Sequence, residues 1–224
     1  MNISDLSEAF QERFEQTTAA REKALTASRR SIRASANAIR AIHRGELDLA
    51  HRLMEDSRSA IQAGREAVRE AHPSVYFAGF LQDAQKEYAE ARLTEAIVVG
   101  ADLPGPEDLE VELPPYLNGM AESIGEGRRA ILDLLRRGQV GEGERILSAM
   151  DDMYYLLASM DYPDAITGNL RRSTDVARSI LERTRGDLSV ALVQRNLQVV
   201  LEAGLKRLEA SPGSGQPDPD RPRP

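Results

Sequence analysis

A chain of 224 residues, 41% hydrophobic, 29% charged and 4% aromatic, can bury a core as one domain or two small ones without a disulfide or metal staple. The absence of cysteine excludes a disulfide scaffold, a cysteine–zinc site, thiol catalysis and an iron–sulfur cluster. With 29 Lys+Arg against 36 Asp+Glu, a net −7, the chain as a whole would not adhere to nucleic acid, so the distribution of charge matters more than its sum.

The acids Asp5, Glu8, Glu12 and Glu15 do not fit a signal peptide, and no apolar run approaches the roughly 18 residues of a membrane span, so a soluble cytoplasmic protein is expected. Ala, Leu, Arg and Glu dominate, alternating strand patterns are missing, and the spacing predicts seven helices. The first runs from a Ser4 or Asp5 cap to about Arg44, ended by Gly45, with Phe10, Phe14, Leu25, Ile32 and Ile39 on one stripe. The second spans about Glu46 to Ala71, with Leu49, Leu53, Ile61 and Val68 inward, and the third about Val75 to Val99. After an acidic loop from Gly100 to Leu113, Pro114-Pro115 opens the fourth, to Arg137; Gly138 separates it from a fifth, about Val140 to Met160. Pro163 starts the sixth, ending near Arg185, and Gly186-Asp187 reads as a stop and new cap, opening the seventh to Glu209. Residues 1–210 thus read as one all-α helical domain. Residues 211–224 hold five of the eleven prolines and read as a disordered tail.

Charge is concentrated in two places. Arg29, Arg33, Arg40 and Arg44 are spaced by 4, 7 and 4, which puts them on one narrow helix face beside the apolar stripe; Arg30 adds to the same basic run. Such a face either holds a phosphate backbone or is a solvated surface paired with neighbouring acids. Further on, Glu87 and Glu90 have i,i+3 spacing, and Glu122 and Glu126 i,i+4 spacing. Helices joined by a short loop tend to lie antiparallel, so the two pairs can face each other. Four converging carboxylates need a counter-charge, and an all-oxygen set selects Mg²⁺ or Mn²⁺; the competing reading is solvated glutamates. Gly125 and Gly127 flank Glu126 inside a helix at a cost of about 1 kcal/mol each, which implies close approach by a neighbouring helix or a ligand.

His43, His51 and His72 are the only histidines, and none belongs to a Glu-x-x-His di-iron motif. His43 reads as a helix C-terminal cap or a polar group near nucleic acid. No Walker A loop, dinucleotide fingerprint or nucleophile elbow is present. Arg171–Asp175 and Asp175–Arg178, continued by Glu182 and Arg185, read as an ion-pair ladder.

The text Tyr162-Pro163-Asp164-Ala165-Ile166-Thr167, then Leu170-Arg171-Arg172 with Thr174-Asp175-Val176-Ala177-Arg178, then Glu182-Arg183-Thr184-Arg185-Gly186-Asp187-Leu188, resembles the translin family, most of all its prokaryotic, mainly archaeal single-gene members. Ile39 to Glu46 and Gln85 to Ala91 add to the likeness, which covers about residues 5–209. The resemblance implies a seven-helix bundle, a homo-octameric shell, and binding of single-stranded RNA, with single-stranded DNA as a second candidate. It also implies a metal-dependent endoribonuclease of the factor-X type, whose Glu-x-x-Glu pattern is matched by Glu87 and Glu90. The family's Asp-x-x-x-Glu is met by Glu122 and Glu126, with Glu for Asp at 122. On this likeness Glu87, Glu90, Glu122 and Glu126 are the expected catalytic and Mg²⁺- or Mn²⁺-binding residues. Arg29, Arg30, Arg33, Arg40 and Arg44 are the expected nucleic-acid contacts.

Two alternatives compete. A translin-like binder would sequester nucleic acid without the carboxylate quartet. An all-α nucleotide pyrophosphohydrolase would need Glu-x-x-Asp as its second motif, a spacing this chain lacks.

Overall fold

Asn2, not Ser4 or Asp5, starts the first helix: its side chain accepts from the Asp5 amide at 2.9 Å, and Asp5 returns a bond to the Asn2 amide at 3.2 Å. The computed structural model describes residues 2–210, so the expected tail, 211–224, lies outside the described residues. The elements are α1 (Ile3–His43), α2 (Leu47–Val68), α3 (Pro73–Tyr76), α4 (Phe80–Val99), α5 (Leu113–Arg136), α6 (Val140–Ala158), α7 (Asp164–Thr167) and α8 (Leu170–Ala210). The expected all-α class is found, and there is no strand among the described residues. No helix among them is long and apolar enough to cross a membrane.

The helix count departs from the expected seven in three places. Gly79 (φ 101°) cuts the third expected helix into a single turn, α3, and α4. Gly168 and Asn169, both at φ 65°, likewise detach the turn α7 from α8. The stop read at Gly186 is absent: α8 runs through it for 41 residues. Glycine ends a helix when it turns left-handed, but here Thr184 and Leu188 are both fully buried. Packing on the two sides therefore carries the helix across Gly186, while Asp187 pairs with Arg128 at 2.8 Å instead of capping. The ladder on α8 is also different. Arg171 reaches Asp161 at 3.1 Å, Arg178 reaches Glu182 at 3.0 Å, and Arg185 reaches Asp151 of α6 at 2.5 Å.

The α1 stripe is likewise only partly buried: Ile39 is inside, but Phe10 and Phe14 are 58% and 73% exposed. α1 buries a face of small residues instead, Ala24, Ser28, Ser31, Ala34, Ser35, Ala38 and Ala41 with Ile39 and Ile42. Small side chains let α2 come close, and Ser31 and Ser35 satisfy their buried hydroxyls on Ser57 of α2 at 2.7 and 2.8 Å.

α4 and α5 run parallel, not antiparallel as expected. Near its start α5 meets the middle of α4 at Gly119, and further on Gly127 meets Ile97, close to the end of α4. The reason is the length of the connection: residues 100–112 can retrace the roughly 30 Å of α4. They are pinned at the far end by fully buried Gln85, whose carbonyl accepts from the Glu112 amide at 2.8 Å and from Arg65 at 2.9 Å. Tyr76 donates to the Glu112 carboxylate at the same point. Asn118 then ties α7 and α8 to α5, donating to Thr167 O at 2.8 Å and accepting from Ser173 at 2.8 Å.

A Cβ on Gly119 would sit 2.6 Å from Lys86 O and 3.0 Å from Glu90 N, both backbone atoms of α4 that cannot swing aside. Gly127 is close-packed too, with Met150 Sδ at 2.9 Å, which answers its expected close approach with a neighbouring helix. Gly125 meets only Ile180, at an ordinary 3.8 Å. Gly119→Ala should therefore destabilise the fold by about 1–3 kcal/mol, whereas Gly125→Ala should stabilise it by up to about 1 kcal/mol. Urea unfolding of both variants checks the contrast, and an equal effect would contradict it.

Candidate metal centre and nucleic-acid face

The parallel crossing at Gly119 sets which side chains meet one turn further on. One carboxylate oxygen from each of Glu87, Glu90 and Glu122 lies within 4.8 Å of the others. Glu90 is only 9% exposed and has no hydrogen-bond partner among the described residues. Burial first, and then the charges of Glu87, Glu122 and Glu126, push its carboxyl up to about 8. Burial likewise raises Glu87, against the opposing pull of Lys86.

Lys86 is the counter-charge that sequence reasoning passed over. Its ammonium donates to Glu122 at 2.7 Å and lies 3.4 Å from Glu87. Burial pulls its pKa down, but Glu122 and Glu87 together outweigh that and hold it above the ordinary lysine value. Its place beside Glu87 in the Gln85-Lys86-Glu87 text was the available signal.

Glu126 is one turn beyond Glu122 and outside the group of three. It bonds His43 Nε2 at 2.5 Å, with Arg129 3.7 Å away. The hydrogen bond from His43 is the main reason its carboxyl is held below the usual range, against the effect of burial. His43 is thus not the helix cap expected from its position. Its side chain is 4% exposed and links the end of α1 to α5, while Arg44 occupies the C-cap. His51 pairs with Glu95 on the surface.

The five expected contacts, Arg29, Arg30, Arg33 and Arg40 of α1 and Arg44 at its C-cap, are all exposed, and they divide. Arg30 pairs with Asp56, Arg40 with Asn37 at 2.5 Å, and Arg44 with Glu46 through two bonds at 2.7 and 2.8 Å. Arg29 and Arg33 carry no acid partner among the described residues, leaving two cationic heads on the stripe. Its C-terminal end, at Arg40 and Arg44, flanks the His43 that reaches Glu126.

An all-oxygen set that gathers like charges, with one member mostly buried and without a hydrogen bond among the described residues, suits a hard divalent cation. In that fit Glu87, Glu90 and Glu122 are the candidate ligands, with Glu126 adjacent and committed to His43.

No family model matches the chain. The chain is similar to the uncharacterized protein MJ0175 of Methanocaldococcus jannaschii, 33% identical over 190 residues that span 84% of this chain and 82% of that one. Among solved structures, AfC3PO in complex with duplex RNA is 33% identical, covers 84% of this chain and 97% of its own, and superposes with a TM-score of 0.75. AfC3PO without RNA gives 0.77 at the same identity and coverage. Apo-NeC3PO, 19% identical over 85% of this chain and 97% of its own with a TM-score of 0.69, shares the fold.

The raised Glu90 carboxyl makes stability depend on pH in a definite direction. Between its ordinary 4.5 and about 8 the folded chain holds a proton that the unfolded chain releases. Its contribution is therefore fullest at low pH and is lost as pH rises through about 8. In EDTA, unfolding free energy should fall by roughly 3 kcal/mol more between pH 5.5 and 8.5 in the parent than in Glu90→Gln. Equal pH slopes in denaturant titrations would contradict this.

Proposed function

The chain belongs to the translin family, and from that premise we propose that it is a metal-dependent endoribonuclease acting on RNA within a homo-oligomeric shell. The observation that carries the reading is the convergence of Glu87, Glu90 and Glu122, with Glu90 buried and without a hydrogen-bond partner. These three would hold Mg²⁺ or Mn²⁺. A bound cation of this kind supplies Lewis-acid polarisation of phosphate oxygens and a more acidic water.

The chain's own residues supply the rest. Lys86 sets the orientation of Glu122 and Glu87 and offers an ammonium to a phosphate oxygen. Glu126, held ionised by His43, would accept a proton from the attacking water as its oxygen bonds to phosphorus, and the Lys86 ammonium would give a proton to the departing ribose oxygen as the P–O bond breaks. Arg29 and Arg33, without acid partners, would hold the strand beside them. Glu90 must lose its proton to act as a ligand, so cation affinity should rise with pH up to about 8.

Self-assembly has its own support. Beyond Leu192, α8 continues with Val193, Leu197, Val200, Leu201, Leu205 and Leu208 all more than half exposed, and Phe10 and Phe14 of α1 are exposed as well. Apolar faces of that extent favour burial against further copies. An octamer is the expected count, and the acidic net charge can then lie outside a basic interior.

The proposed substrate is single-stranded RNA, with single-stranded DNA as a second ligand. Because AfC3PO has been seen with duplex RNA, the assay includes a duplex. One observation favours the alternative of a shell that binds without cutting: Glu126 is engaged by His43 rather than grouped with the other three.

Labelled RNA incubated with protein in Mg²⁺, Mn²⁺ or EDTA decides between the two. Cleavage should require the cation and fall by about 100-fold or more in Glu122→Gln, while RNA binding stays within about twofold because the arginine face is intact. Tight binding without cleavage in either cation would favour the binder.

A further inference from the structure

Next to the carboxylates, α5 and α8 leave a groove of about 370 Å³ with Glu90 and Glu122 at its rim. Its α8 wall is built from residues four apart, Arg172, Val176 and Ile180, which share one helix face. Opposite stands Ala121, and four residues on, Gly125 lies against Ile180, where a Cβ would sit 3.8 Å from Ile180 Cδ1. Gly125 is therefore unexplained by packing: a Cβ there would make only an ordinary contact, yet glycine costs helix stability. Arg172 is exposed, and its guanidinium has no hydrogen-bond or ion-pair partner among the described residues, unlike its neighbour Arg171 on Asp161. Val176 is 53% exposed. Glu90, nine-tenths buried as a residue and with no hydrogen bond to its carboxyl group among the described residues, lines the same groove.

From this geometry we infer that the α5–α8 groove is a subsite for one ribonucleotide of the RNA, its base lying on Val176 and Ile180 and its phosphate held by Arg172. The inference rests on the nuclease reading for what the subsite serves, since it delivers the adjoining phosphodiester to the carboxylates. A guanidinium suits a phosphate through two parallel N–H donors, and a base buried against aliphatic side chains gains from apolar contact without an aromatic platform. The wall formed by Val176 and Ile180 offers no donor or acceptor to a base edge, and Ser173 at the rim already donates to Asn118 at 2.8 Å.

The test titrates adenosine 5′-monophosphate and ribose 5-phosphate into the full chain in EDTA, followed by ligand-observed NMR. The parent should bind the nucleotide about tenfold more tightly than the sugar phosphate, the gain expected from burying part of one base against aliphatic side chains. Arg172→Ala should weaken both ligands by about tenfold. Gly125→Leu, which pushes Ile180 out of its place in the groove wall while favouring the helix, should remove the nucleotide's advantage and leave ribose 5-phosphate unchanged. Val176→Ala, at a half-exposed position, should shrink that advantage and serves if Gly125→Leu does not fold.

Equal binding of the two ligands by the parent, or a nucleotide advantage untouched by Gly125→Leu and Val176→Ala, overturns the subsite. So does a changed oligomeric state in Gly125→Leu with nucleotide binding intact, which would make the groove a contact between copies. RNA cleavage by the same proteins separates the two readings. No cleavage by a parent that shows the nucleotide contrast sinks the nuclease and supports the subsite; cation-dependent cleavage without the contrast does the reverse.

Discussion

The backbones of α4 and α5 touch at Gly119, where a single added methyl group would meet a carbonyl oxygen at 2.6 Å and an amide nitrogen at 3.0 Å. That contact fixes both the separation and the register of two parallel helices. One turn along, Glu122 then comes up against Glu87 and Glu90, and Lys86 reaches across to Glu122. A wider crossing would leave the same glutamates solvated and apart. The connection that makes the helices parallel is held by the same few groups, Gln85, Glu112 and Tyr76, so the approach to α5 is fixed before the acidic turn begins.

The electrostatics follow from that enforced proximity. Three carboxyl groups share a space in which one, Glu90, is mostly buried, and burial together with its charged neighbours keeps it protonated up to about pH 8. Lys86 offsets part of the remaining charge, and His43 engages Glu126 from the other side. Through His43 the end of α1, with its exposed arginines, is tied to the same turn of α5. Cationic and acidic surfaces are thus joined through one buried imidazole rather than lying on unrelated faces. The raised carboxyl is the energetic sign of a place where a cation would relieve strain in the charge distribution.

Much of this was legible in the sequence. The helical class came from composition and from proline and glycine placement, and the i,i+3 and i,i+4 spacing of the glutamates named the residues that border the site. What was missed has physical causes. Helix direction across residues 100–112 depends on how far a loop of that length can travel, and Gln85 chooses the return path through a buried hydrogen bond that no local pattern announces. The buried face of α1 is made of alanine and serine, which carry no hydrophobic signal, so the larger Phe10 and Phe14 drew attention while standing in solvent. Gly186 looked like a stop because glycine often is one, yet Thr184 and Leu188 pack on either side of it. His43 was read from its place at a helix end, whereas its partner lies 83 residues away in sequence.

The central claim is that the α4–α5 crossing builds a cation site from Glu87, Glu90 and Glu122. Crystals grown at pH 8.5 and soaked in Mn²⁺ test it directly through anomalous scattering. The account predicts a manganese peak bounded by those three carboxylates, with the Lys86 ammonium withdrawn from Glu122. A map with no peak there, or with Lys86 still bonded to Glu122 and manganese elsewhere, would contradict it.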